Sequence, residues 1–216
     1  MVIAVLQDLR ASLGPARHQG IRPTCVAFAV SDAHAVARGP YELLSPECLY
    51  YRAITRTAGG HPGDGVALPT LLEALEFDGQ CLEVGWPYLQ QMPTDLASWI
   101  PPATAIPVYR QSSTPLPTAI DSVIATVGSG VPMVMTILLG ERFYTPANGL
   151  IEPGPDDADT DYHAVLAVGH GRDGPRRFVL IRNSWGDDWG LDGHAWVDTA
   201  YLEPRLYELA FVGNIP

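Results

Sequence analysis

The sequence predicts an α+β protein, and three observations carry that prediction. The first half has apolar residues at helical spacing, the second half has short apolar or alternating runs split by Gly, Asp and Pro, and a proline-dense stretch over residues 92–118 divides them. Taken in order, MVIAVLQDLR has a short apolar run that predicts a buried strand. TCVAFAVSDAHAVAR predicts a helix from Cys25 to about Arg38. LSPECLYYRAITR predicts a second, with Ser45 as N-cap and Pro46 as the first helical residue, a favoured pair because proline lacks the N–H that would go unbonded there. LPTLLEALEFDG predicts a third, stopped by Gly79. The 92–118 stretch reads as a crossover, followed by a short helix over 118–127. The runs VPMVMTILLG, HAVLAVGHG, RFVLIRNSW, HAWVD and LYELAFVG predict the strands.

Composition narrows the function classes. A chain of 216 residues with 47% hydrophobic and 17% charged residues can bury a core, and the 21 Gly and 20 Pro predict many turns. The net charge of −11 repels nucleic acid and anionic membrane surfaces, so neither is expected as a partner. No apolar stretch is long enough to span a bilayer, and the N-terminus lacks the basic start and cleavage site of a signal peptide, so a cytoplasmic location is expected. Three cysteines without paired spacing argue against a disulfide framework. Cys48 and Cys81 are expected to be free thiols, with a disulfide between them as the alternative. No metal or other cofactor is expected: the histidines lack H-E-x-x-H spacing, and Asp156, Asp157, Asp159 and Asp161 lack the EF-hand pattern for calcium.

The chemistry concentrates in three blocks. HQGIRPTCVAFAV puts Cys25 at the start of an apolar helix, where the partial positive charge of the helix end favours thiolate. Read alone, Cys25 is equally well a small buried core residue. DYHAVLAVGHG puts His163 at the start of an apolar strand behind an acidic loop, and RFVLIRNSWGDDWG puts Asn183 at the end of another. A nucleophilic thiol needs a base, and the base needs an orienting partner; Cys, His and Asn supply that set in chain order.

These blocks resemble the papain family of cysteine peptidases. Gln19, Gly20, Cys25, Ala27 and Phe28 match one family motif, His163 to Gly169 a second, and Asn183 to Gly190 a third; LLSPECLYY and DGVALPTLLEALEFDGQCLEVGWPY match segments between them. The resemblance implies a single catalytic domain over 1–216 with two lobes, a helical one over about 8–110 and an antiparallel, β-barrel-like one over about 111–205. The termini would cross between them and the active site would lie in the cleft. It implies peptide-bond hydrolysis through a Cys25 thioester, with Cys25 and His163 resting as a thiolate–imidazolium pair. Asn183 would orient the imidazole, Gln19 would help hold the oxyanion, and Trp185 would cover the His163–Asn183 bond. Backbone at Asp64, Gly65 and Val66 would pair with an extended substrate, and Leu68, Met135 and Ala164, beside Tyr162, would receive a hydrophobic side chain two residues before the scissile bond. Either Glu208 or Leu206 would form that pocket's floor.

The family's Cys-Gly-Ser-Cys-Trp is here Arg22-Pro23-Thr24-Cys25-Val26, so the usual nearby disulfide cannot form and Val26 replaces an aromatic. This pattern is closer to bacterial, non-secreted relatives. The implied partners are a peptide or protein substrate and, because residues 1–18 resemble a mature N-terminal strand rather than an inhibitory segment, a protein inhibitor or regulatory partner. The alternatives are a transpeptidase, deamidase or acyltransferase using the same thioester, or a peptide-binding relative without catalysis.

Overall fold

The computed structural model describes residues 2–155 and 157–213. The helical part contains α1 (Cys25–Arg38), α2 (Pro46–Arg56) and α3 (Leu68–Phe77). Ser45 caps α2 as expected: its Oγ accepts the Cys48 N–H at 3.0 Å. Gly79 follows α3 with φ 78°, a conformation that side chains disfavour, and a Cβ there would meet the Tyr109 carbonyl at 2.7 Å. Thr24, at the N-terminus of α1, caps nothing with its side chain; its hydroxyl lies 2.6 Å from the Tyr88 hydroxyl instead.

The strands form two sheets. β2 (Gln80–Cys81) pairs with β3 (Val108–Tyr109). The larger sheet runs β4 (Ser113–Leu116), β10 (Leu206–Val212), β5 (Met133–Gly140), β7 (Asp159–Asp173), β8 (Arg176–Arg182), β9 (His194–Asp198) and β6 (Leu150–Ile151). Its pairs are antiparallel except β6 with β9, which is parallel. Helix α4 (Ile120–Gly128) leads into β5, and the short α5 (Glu141–Tyr144) and α6 (Thr199–Leu202) follow β5 and β9. The expected crossover resolves into an irregular segment up to Ala105 and the strands β3 and β4. The chain passes from the small sheet to the edge of the large one between Tyr109 and Ser113.

One expectation is corrected. The N-terminal run is a strand, β1 (Ala4–Asp8), but not a buried one: it pairs along the outer half of β7, and Val5 and Leu6 are 52% and 55% exposed. An apolar run reports β propensity as well as burial, and here it marks an edge. The pairing carries the N-terminus onto the large sheet before the chain enters the helical lobe.

Helix α1 packs against β7 with small residues, Ala27, Ala29 and Ala33, on buried positions, so its backbone approaches the sheet closely. A buried charged triad locks that contact. The Asp32 carboxylate of α1 accepts Arg17 Nη2 at 2.7 Å and Arg182 Nε, at the end of β8, also at 2.7 Å. Arg182 donates its other two nitrogens to the carbonyls of Gly14 and Pro15 at 2.8 and 2.6 Å. Burial acts to raise the Asp32 pKa, yet the two guanidinium groups hold it below the usual carboxylate value. The triad ties the helix that begins with Cys25 to the strand that ends beside Asn183.

Candidate active site

Cys25 is the first residue of α1 and is half-buried. His163 lies on β7, opposite Ile137 of β5, and is 5% exposed. Both line one cleft of about 700 Å³ between the helical and sheet parts, together with Gln19, Gly65, Val66, Leu68, Tyr162, Ala164 and Trp185.

Behind the cleft, His163 Nε2 lies 2.7 Å from Asn183 Oδ1. The same Oδ1 accepts the Ser184 N–H at 2.8 Å, which fixes it as the oxygen of the amide. Nε2 is therefore the N–H of the neutral ring, and Nδ1 carries the lone pair. Trp185 lies over the imidazole with centroids 4.7 Å apart, Phe143 meets its edge at 5.7 Å, and Tyr144 stacks on Trp185 at 5.5 Å and 14°. These rings keep water from the His163–Asn183 bond.

Burial governs both titrating groups. It pulls His163 down to about 4, against the Asn183 hydrogen bond and the Asp161 charge, which raise it. It pushes the Cys25 thiol up, against hydrogen bonds from backbone at Ala164 and Val26. Both effects favour neutral thiol and neutral imidazole at rest. Desolvation thus opposes the ion pair expected from the helix N-terminus.

Gln19 is 7% exposed and held from three sides. Its backbone N–H donates to Ser184 O at 2.8 Å, its Oε1 accepts the Ser184 hydroxyl at 2.6 Å, and its Nε2 donates to Arg22 O at 2.8 Å. An amide nitrogen has two hydrogens, so one remains for a group in the cleft. Gly20 turns the chain next to it with φ 66°, and a Cβ there would collide with the Gln90 carbonyl.

Two expected lining residues lie elsewhere. Met135 has no exposed surface; side chains alternate along β5, so its neighbour Thr136 faces the cleft. Asp64 turns inward: its N–H donates to His61 O at 2.8 Å, its carbonyl accepts the Tyr50 hydroxyl, and its carboxylate accepts the His61 N–H at 3.1 Å. Of the two candidates for the pocket floor, Glu208 lines the cleft and Leu206 does not. A bulge between them in the β10–β5 pairing sets Glu208 opposite Thr136. Leu139, Tyr144, Asp161 and Tyr207 also line the cleft, and no motif in the sequence marks them. Of the four aspartates considered for calcium, Asp156 lies outside the described residues. Asp157 and Asp159 pair with Arg205 at 3.4 and 2.9 Å. No helix among the described residues is long and apolar enough to cross a membrane.

A cysteine at a helix tip, lining one cleft with a histidine that bonds an asparagine, sits here in a papain-like fold. The family model described as "Papain family cysteine protease" matches residues 100–203. Caricain from Carica papaya is 28% identical over 189 residues, 84% of this chain and 51% of its own length. Cathepsin K from Mus musculus is 28% identical over 187 residues, 84% of this chain and 55% of its own. The chain spans about half the length of these relatives. Xylellain, a cysteine protease from Xylella fastidiosa, superposes with a TM-score of 0.78 at 22% identity, covering 97% of this chain and 86% of that one. A cysteine protease of Carica candamarcensis superposes at 0.73, covering 97% and 98%. The chain is thus similar to papain-family cysteine peptidases, by the family model over residues 100–203 and by relatives over 84% of its length, and shares their fold.

Proposed function

We propose that this chain hydrolyses peptide bonds through a thioester on Cys25. The observation that carries the reading is the opening of Cys25 and the His163–Asn183 pair onto one cleft, with a spare Gln19 N–H beside them. The Cys25 S–H proton passes to His163 Nδ1 as the sulfur attacks the peptide carbonyl carbon. The negative oxygen that forms is met by the Gln19 side-chain N–H and the Cys25 backbone N–H. His163 returns the proton to the leaving amine as the C–N bond breaks, then takes one from water as water attacks the thioester, and passes it to the Cys25 sulfur as the C–S bond breaks and the acid leaves. Asn183 holds the ring through Nε2 throughout.

Substrate enters extended, against the backbone of Gly65 and Val66. The side chain two residues before the scissile bond is hydrophobic and packs on Val66, Leu68 and Ala164. Glu208 stands at the far end, where Thr136 Oγ1 donates to it at 3.3 Å. It has no cationic partner among the described residues, so an arginine at that substrate position is accepted as well. Glu208→Leu is expected to shift the Leu-over-Arg ratio of kcat/KM at this position about tenfold toward Leu; a fluorogenic peptide pair differing only there measures it, and an unchanged ratio removes Glu208 from the pocket.

The class is tested with a peptidyl epoxide, which alkylates an activated thiol in a substrate cleft. Labelling at one site, lost in Cys25→Ala together with hydrolysis of peptides carrying Leu at that position, is the expected result. Labelling at Cys48 or Cys81 with Cys25 untouched would end this reading.

A further inference from the structure

Arg22 and Glu47 take no part in the chemistry above, yet they form the most completely buried ion pair described in the chain, with side chains 1% and 0% exposed. Glu47, on the first turn of α2, receives four hydrogen bonds. Its Oε2 accepts Arg22 Nη1 at 2.5 Å and the Leu89 N–H at 3.0 Å; its Oε1 accepts Arg22 Nη2 at 3.0 Å and Trp99 Nε1 at 2.6 Å. Arg22 Nη1 also donates to Leu89 O at 2.7 Å, and the guanidinium carbon lies 5.4, 5.3 and 5.9 Å from the ring centres of Tyr50, Tyr88 and Trp99.

The backbone of the same arginine reaches the candidate oxyanion site. Arg22 O accepts the Gln19 side-chain N–H, so the position of this carbonyl decides which way the second Gln19 N–H points. Arg22 O also accepts the Thr24 N–H at 2.8 Å, and only Pro23 and Thr24 separate it from Cys25. Tyr88, next to Leu89, donates its hydroxyl to Gln19 O at 2.7 Å and lies 2.6 Å from the Thr24 hydroxyl. One carboxylate on α2 therefore fixes both the 19–25 loop and the 88–99 segment behind it.

We propose that the Arg22–Glu47 pair positions the oxyanion site, holding the Arg22 carbonyl so that the Gln19 amide is aimed into the cleft. The proposal rests on the reading that Gln19 serves the oxyanion. A buried ion pair returns little net stability compared with an apolar pair of similar volume, because both charges lose their water. It offers direction: a planar fork and a carboxylate meet in one geometry, and Lys could not reproduce it.

The test compares Glu47→Gln, and the double variant Arg22→Met with Glu47→Leu, which fills the space without leaving a lone charge. Hydrolysis of a peptide amide needs the oxyanion site, whereas alkylation of Cys25 by iodoacetamide forms no oxyanion. In both variants kcat is expected to fall about 10- to 100-fold while KM and the alkylation rate stay within about threefold of wild type. The Gln19 side-chain amide signals in a ¹⁵N spectrum are expected to shift or broaden. Unchanged kcat in a folded variant, or a parallel fall in alkylation, overturns the proposal. If the wild type cleaves no peptide, the functional reading fails on its own, and the Gln19 signals still decide the positioning: unmoved signals in both variants overturn it.

Discussion

Replacing His163 with alanine is expected to cut kcat/KM for peptide hydrolysis by at least about 10³-fold, because no other group in the cleft can move the proton. The cleft-lining carboxylates Asp161 and Glu208 are the alternatives by position. Neither suits the role: a carboxylate is too weak a base to take a thiol proton efficiently. Asn183→Ala removes only the partner that sets the ring's direction, so a smaller loss of about 10- to 100-fold is expected. The two variants also differ in how they alter the thiol. Burial holds the Cys25 pKa above its ordinary value. Without an imidazole to receive the proton, alkylation by iodoacetamide should need pH above the normal thiol range in His163→Ala. In Asn183→Ala it should stay closer to wild type. Stopped assays of both reactions across pH 5–10 provide the measurement. Hydrolysis by His163→Ala at the wild-type rate would remove the assigned proton carrier.

That the candidate residues meet at one cleft is legible because they sit in local patterns that force their conformation. Cys25 opens a helix whose apolar spacing is plain. Asn183 ends an apolar strand, and the glycines after it mark a turn. Helices with strong caps, such as α2 behind Ser45 and Pro46, were legible for the same reason: capping is a contact between near neighbours in sequence.

What escaped depends on partners far away in the chain. Met135 and Thr136 are adjacent on one strand, and which of them faces the cleft follows from pairing with β7 and β10, not from the strand itself. Glu208 over Leu206 turns on a bulge, which no residue between them announces. Asp64 lies off the cleft because its backbone is claimed by Tyr50 and His61. The Arg22–Glu47 and Asp32–Arg182 pairs join residues 25 and 150 positions apart, and each partner taken alone reads as an ordinary surface charge. Pairing of this kind is set by the assembled core.

The same burial makes the fold sensitive to acid, and the expected result is a loss of several kcal/mol of stability between pH 6.5 and 4. His34, on α1, has no exposed surface; its Nδ1 lies 3.0 Å from Gln80 Oε1. Burial pulls it to about 4, although the Gln80 bond acts to raise it. His163 is pulled to about 4 by the same cause. In the unfolded chain both titrate near the ordinary value of about 6.5. Between these limits the unfolded state binds more protons than the folded one, so stability rises with pH through the window and falls as pH drops from 6.5 to 4. Each ring accounts for about 3 kcal/mol at the acid end, and a domain of this size has only about 5–15 kcal/mol in total. His170 and His194 are shifted in the same direction by burial and steepen the loss. Asp32 acts later: its pKa lies below the ordinary carboxylate value, so its contribution is intact above that value and lost only as pH falls further. Urea midpoints at pH 7, 5.5 and 4.5 measure the slope, and His34→Gln should remove a large part of it while leaving the cleft residues in place. A midpoint unchanged between pH 7 and 4.5 would mean that these rings are not held neutral by the fold, and with that the neutral resting state assigned to His163 would fall too.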